Sequence, residues 1–100
     1  MTPWKIIIED LAQLDLKEVY TWYEQQKTGL GEEFLDELDV TILAIERNPF
    51  HAFSVENLCR RISLKRFPYD IIYLIDTEDY LVTIIAISHQ HRKPGWYTNR

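Results

Sequence analysis

The chain has one cysteine, Cys59, three glycines and four prolines in 100 residues. A lone cysteine excludes a disulfide framework and a zinc site built from cysteines, and it fits a reducing compartment. So little glycine and proline, with no low-complexity tract, excludes collagen-like and linker sequence. No apolar run approaches the roughly 20 residues that a membrane-crossing helix needs. No basic-then-apolar leader opens the chain, which argues against export and for the cytoplasm. Cations are scarce in the first half. Residues 1–58 carry 4 Lys/Arg against 12 Asp/Glu, a net of −8, and residues 59–100 carry 7 against 4, a net of +3. The overall charge of −5 argues against indiscriminate nucleic-acid binding, which depends on neutralising phosphates. A local cationic face in the back half could still meet an anionic partner, although two solvated faces of opposite sign are the plainer reading.

What is present suffices for one folded domain over residues 1–100. The composition is 46% hydrophobic and 13% aromatic, enough for one modest core. Trp4 to Ile8 is short, apolar and rich in isoleucine, which predicts a strand. Asp10 with Gln13 has the spacing of a capping box. Leu11, Leu14, Val19, Tyr20, Trp22 and Tyr23 then recur at helical spacing, so a helix is expected over 10–26. Gly29 and Gly31 stop it. A second helix is expected over 31–47, with Phe34, Leu35, Leu38, Ile42 and Ile45 as its apolar stripe and acids in its first half, where the helix dipole favours them. Asn48-Pro49 closes it, and an irregular connection follows over 48–58. Period-2 alternation puts Arg61, Ser63 and Lys65 on the polar side of a strand over 60–67, opposite Ile62 and Leu64. Tyr69 to Asp76 and Tyr80 to Ser88 read as two further strands with a turn between them, followed by a tail from His89 to Arg100. The order strand, helix, helix, strand, strand, strand predicts an α+β domain. Its last three strands should form an antiparallel meander, and the helical hairpin should cover one face of an antiparallel sheet.

Several short stretches, in this order, resemble the RelE/ParE superfamily of toxins from type II toxin–antitoxin modules. They are Asp10-Leu11, Trp22-Tyr23, the run from Gly29 to Leu38, Asn48-Pro49, Arg60-Arg61, the run from Lys65 to Tyr69, and the tail His89-x-x-Arg92-x-Pro94-x-Trp96. The pattern looks closer to the ParE-like branch, which includes plasmid stabilisation proteins. The resemblance implies a small cytoplasmic toxin that needs no cofactor. It would be neutralised by an antitoxin with a disordered segment that folds over it, as a homodimer or a toxin–antitoxin hetero-oligomer. ParE-like members are described as blocking DNA gyrase, and RelE-like members as cleaving messenger RNA on the ribosome. One implies a binder and the other a nuclease.

Metal-independent RNA cleavage needs a base, an acid and cations around the phosphorane. The pool for these roles is Arg61, Lys65, His89, His91, Arg92 and Tyr97. Any basic strand and tail would supply such a list, and an acidic chain is unlike RelE-like enzymes that dock on ribosomal RNA. His89 follows a buried strand and could equally fix a turn. His91 reads as a surface residue. Arg92 could pin the tail instead of meeting a ligand. His89-x-His91 lacks a nearby third ligand, so no metal site is expected. Antitoxin contacts are expected at Trp22, Tyr23, Leu38 and Ile42, where these are not fully buried, with Arg61 and Lys65 anchoring carboxylates. Reversing both of those charges is expected to weaken that complex and leave the fold intact.

Overall fold

The computed structural model describes residues 3–54 and 59–100. The elements run β1 (Lys5–Ile8), α1 (Asp10–Gln26), α2 (Leu30–Arg47), β2 (Phe53–Ser54), β3 (Arg60–Ser63), β4 (Tyr69–Asp76) and β5 (Leu81–His89), with a 3-10 turn at Trp96–Asn99. The sheet order is β1-β5-β4-β3-β2. The last strands form the expected meander, with β3–β4 and β4–β5 both antiparallel. β1 does not follow that rule. It pairs parallel with β5, from Lys5 opposite Leu81 to Ile8 opposite Ile84, so the sheet is mixed and the expectation of an antiparallel sheet is corrected. The helical hairpin carries the chain back to the end of the sheet where β1 began, with Phe50 against Trp4 at 5.7 Å. From there β3 sets out in the direction of β1, and two antiparallel reversals leave β5 running that way too. Short links constrain only strands that follow one another, and β1 with β5 is a pairing between the two ends of the sequence.

β2 lies inside the stretch expected to be irregular, where it pairs with β3. Residues 55–58 of that stretch lie outside the described residues. β3 stops at Ser63, short of the expected 67, because the Glu37 carboxylate of α2 accepts the backbone N–H groups of Lys65 and Arg66. That draws the β3–β4 loop toward the helices, and Arg66 adds an ion pair with Glu33 at 2.8 Å. The Arg66 guanidinium in turn holds the Glu33 carboxyl below its ordinary range.

The capping box is also corrected. Glu9 is the extended N-cap residue, no side chain caps α1, and Gln13 Nε2 instead donates to the Ile8 carbonyl at 2.9 Å. The buried side of α1 is Ala12, Val19 and Tyr23, with Leu16 partly buried, whereas Leu11, Leu14 and Trp22 are exposed. The expected stripe is thus corrected at Leu11, Leu14 and Trp22, because contact with the sheet buries the face that carries Ala12, Val19 and Tyr23. On α2 the expected stripe is present in Phe34, Leu38 and Ile45. At the hairpin, Gly29 takes φ +92°, which favours glycine, and Glu24 accepts the N–H groups of both Gly29 and Gly31.

A β-bulge decides what the far end of the sheet presents. Ile72 pairs with Ala86 but Tyr73 pairs with Ile84, leaving Ile85 over. The extra residue shifts the alternation of β5. Val82 and Ile84 face the helices before it, and Ile87 faces them after it. Ala86 joins Ile72, Cys59 and Tyr97 in a smaller cluster, packed by the tail through Trp96. Burial raises the Cys59 thiol above its ordinary pKa, as expected of an inert small residue.

Candidate functional site

Two clefts meet at the end of the sheet where β4 begins and β5 finishes, and both are lined by His89 and Arg92. The first is a notch of about 30 Å³ that also involves Arg61, Asp70, Gln90 and Tyr97. The second, of about 270 Å³, lies between α1 and the tail and adds Asp15, Glu18, Trp22 and Tyr69.

The notch rests on a buried acid. Asp70 is 4% exposed, in a strand otherwise made of apolar residues up to Ile75. Its carboxylate faces the Arg61 guanidinium at 3.6 Å and accepts a hydrogen bond from Gln90 Nε2 at 3.2 Å. A buried carboxylate needs such partners, because desolvation would otherwise disfavour its charge. The pairing places Arg61 beside the tail. It also corrects the expectation that reversing the Arg61 charge would spare the fold, since an acid there would stand against Asp70.

His89 takes the turn-fixing role weighed for it. Its Nδ1 accepts the backbone N–H of His91 at 3.0 Å, which fixes the turn and leaves Nε2 as the N–H donor of the neutral ring. The ring stands edge-on to Tyr69 at 5.0 Å, and the bulge sets it on the helix side. Burial raises the Tyr69 phenol above its ordinary pKa. His91 is exposed, with its ring 5.3 Å from that of His89. Tyr97 is buried against the second face of the sheet.

Arg92 stacks on Trp96, its guanidinium carbon 3.5 Å from the ring centroid. The indole N–H donates to Ser88 Oγ at 2.8 Å. Arg100 lies over the same ring at 4.8 Å and grips Asp15 of α1 at two points, 2.9 and 3.1 Å.

The structure therefore gathers Arg61, His89, Arg92 and Tyr97 of the sequence pool and leaves Lys65 and the exposed His91 outside both clefts. The Lys65 side chain is exposed on the β3–β4 loop, which is tied to α2. Of the expected antitoxin contacts, Trp22 is 54% exposed at the rim of the larger cleft and Ile42 is partly buried, whereas Tyr23 and Leu38 belong to the core. The neighbouring Arg60 is structural, donating to the carbonyls of Phe50 and Ala52 at 3.3 and 2.9 Å. Asp70, Gln90, Asp15 and Arg100 were not in the pool. An isolated acid within an apolar strand was a readable signal for Asp70, whereas Asp15 and Arg100 stand far apart in sequence and carry no local pattern. Among the described residues, no group of three or more His, Cys, Asp or Glu could hold a metal ion. No helix among the described residues is long and apolar enough to cross a membrane.

The chain matches, over residues 6–94, the family described as the ParE toxin of the type II toxin-antitoxin system, parDE. No curated protein matches it. Among solved structures, a chain of the chromosomal ParDE TA system from P. aeruginosa is similar with a TM-score of 0.77 at 13% identity, covering 87% of this chain and 96% of that one. The E. coli toxin RelE, as a mutant in the free state, is similar with a TM-score of 0.59 at 18% identity, covering 91% and 86%. At these identities the structural likeness speaks for the fold alone.

Proposed function

This chain belongs to the ParE toxin family of type II toxin–antitoxin systems, and we propose that it is a cytoplasmic toxin that arrests growth by binding DNA gyrase and is neutralised by a cognate antitoxin. The observation that carries this reading is the family match over residues 6–94. The chemistry of the site supports binding over cleavage, because the notch's groups suited to proton transfer each carry a structural contact. His89 Nδ1 holds a backbone N–H, Asp70 is paired with Arg61 and Gln90, and Tyr97 is buried. What remains presented is recognition surface: Arg92 on its indole, Trp22 at the cleft rim, and the exposed Leu11 and Leu14 of α1. An antitoxin segment that orders on binding would cover these apolar side chains, and its carboxylates would meet Lys65 and Arg92, in a hetero-oligomer. The test is a supercoiling assay with purified gyrase, in which the chain is expected to inhibit. Unchanged supercoiling at large excess removes the reading.

A second reading has its own support, since Arg61, His89 and Arg92 converge with Asp70 on one notch. In that reading the chain is a RelE-like endoribonuclease acting on messenger RNA at the ribosome. Cells induced to make it would then show cleaved transcripts, and Arg92→Ala would abolish cleavage in a folded chain. Intact transcripts during growth arrest count against it. A chain that neither arrests growth nor cleaves RNA is a non-toxic member of the family.

A further inference from the structure

β5 outlasts β1. Their pairing ends at Ile84, and β5 continues to His89 with α1 alongside it in place of a strand. There Asp15 of α1 accepts the Ile87 N–H at 3.1 Å, so one carboxylate caps an exposed edge of the sheet. The same carboxylate holds Arg100, and the two side chains are only 15% and 17% exposed. A two-point arginine–carboxylate pair with little solvent fixes orientation as well as distance. Arg100 also lies over Trp96, whose indole is anchored to Ser88 and carries Arg92 at 3.5 Å. Arg92 is the cation shared by both clefts.

We infer that Asp15 and Arg100 are positioning residues, a latch between α1 and the tail that works through Trp96 to hold Arg92 at the junction of the two clefts. Of the tail's cations, Arg92 is the one stacked at close range, and a stacked guanidinium gives up side-chain freedom before a ligand arrives. An anionic group of the target, carboxylate or phosphate, would then meet a cation already in place. The functional half of this inference rests on the toxin reading above, and the structural half does not.

Two substitutions separate the latch from the edge cap. Asp15→Asn keeps an oxygen for the Ile87 N–H but loses the charged two-point pair, and Arg100→Ala leaves the cap untouched. Protons of the Arg92 side chain should resonate upfield in the wild-type chain, because they lie over the indole. Each single variant is expected to lose that shift and to speed exchange of the Trp96 indole N–H. The double variant should lose no more, since both changes break one chain of contacts. Arg100→Lys, limited to single-point pairing, should fall between. Retention of the Arg92 shift in both single variants, or additive losses in the double, overturns the latch. In cells, growth arrest is expected to weaken in both variants and in Arg92→Ala. Full arrest with the shift lost overturns the positioning role. Failure of the wild-type chain to arrest growth removes the toxin reading instead, and leaves the resonance measurement decisive for the latch.

Discussion

Replacing Gly31 with alanine should destabilise this protein, against the usual sign. Alanine in a helix is ordinarily favoured over glycine by up to about 1 kcal/mol. At Gly31 the added Cβ would stand 2.7 Å from Glu24 Cγ and 2.9 Å from both Glu24 Oε1 and Tyr20 Cδ1. Glu24 would have to swing away, and its carboxylate would release the N–H groups of Gly29 (3.1 Å) and Gly31 (2.8 Å). Those bonds serve the first turn of α2 and tie it to the end of α1. Losing a charged cap of this kind costs about 2 kcal/mol. The difference predicts a net loss of about 1 kcal/mol for Gly31→Ala, and about 2 kcal/mol for Glu24→Ala. In the Glu24→Ala background only Tyr20 remains in the way, and its partly exposed ring can turn. There Gly31→Ala should become neutral or stabilising, giving a coupling of about 1–2 kcal/mol in the double-mutant cycle. Urea titrations of the four chains, compared at constant slope, measure it. Equal costs of Gly31→Ala in the two backgrounds would refute the argument.

Burial raises the phenol pKa values of Tyr23, Tyr69 and Tyr73 in the folded chain. The folded state thus holds these protons more tightly than the unfolded one, so their contribution is complete below a pH of about 10 and is lost as pH rises through the folded values. Tyr73→Phe should flatten that alkaline decline. At neutral pH it should cost about 1 kcal/mol, because the Pro49 carbonyl loses the hydroxyl that donates to it. A decline of unchanged slope in the variant would show that Tyr73 does not titrate on unfolding. For the antitoxin surface, Lys65→Glu should weaken the complex in calorimetry and leave the unfolding midpoint alone, since the loop is held through the Lys65 backbone. Arg61→Glu should lower both, because it sets an acid against Asp70. An unchanged dissociation constant for Lys65→Glu would mean that the loop faces something other than the antitoxin.

Local signals decided most of the elements. The helices appear within a residue of where apolar spacing, Gly29 and Asn48-Pro49 place them, because those signals act on adjacent backbone. The apolar runs from Tyr69 and Tyr80 became central strands for the same reason. Order and spacing also carried the family, which the match over residues 6–94 bears out. The candidate site was half legible. Chemistry-bearing residue types could be picked out, and Arg61, His89, Arg92 and Tyr97 do meet. Lys65 shares their charge but not their place, because two backbone bonds to Glu37 end β3 before it.

By itself, then, the sequence determined what depends on neighbours along the chain: the helices and their limits, the main strands, the meander, the acidic front and basic back. Only the tertiary structure decided what depends on partners far apart in sequence. The parallel pairing of β1 with β5 joins strands from the two ends of the sequence. The choice of Ala12 over Leu11 as a buried face of α1 was made by the sheet beneath it. The bulge at Ile85 sets the side on which His89 emerges. Asp15 meets Arg100 across 85 positions. No propensity or periodicity reports such contacts, because their free energy exists only once the intervening chain has folded and brought the two groups together.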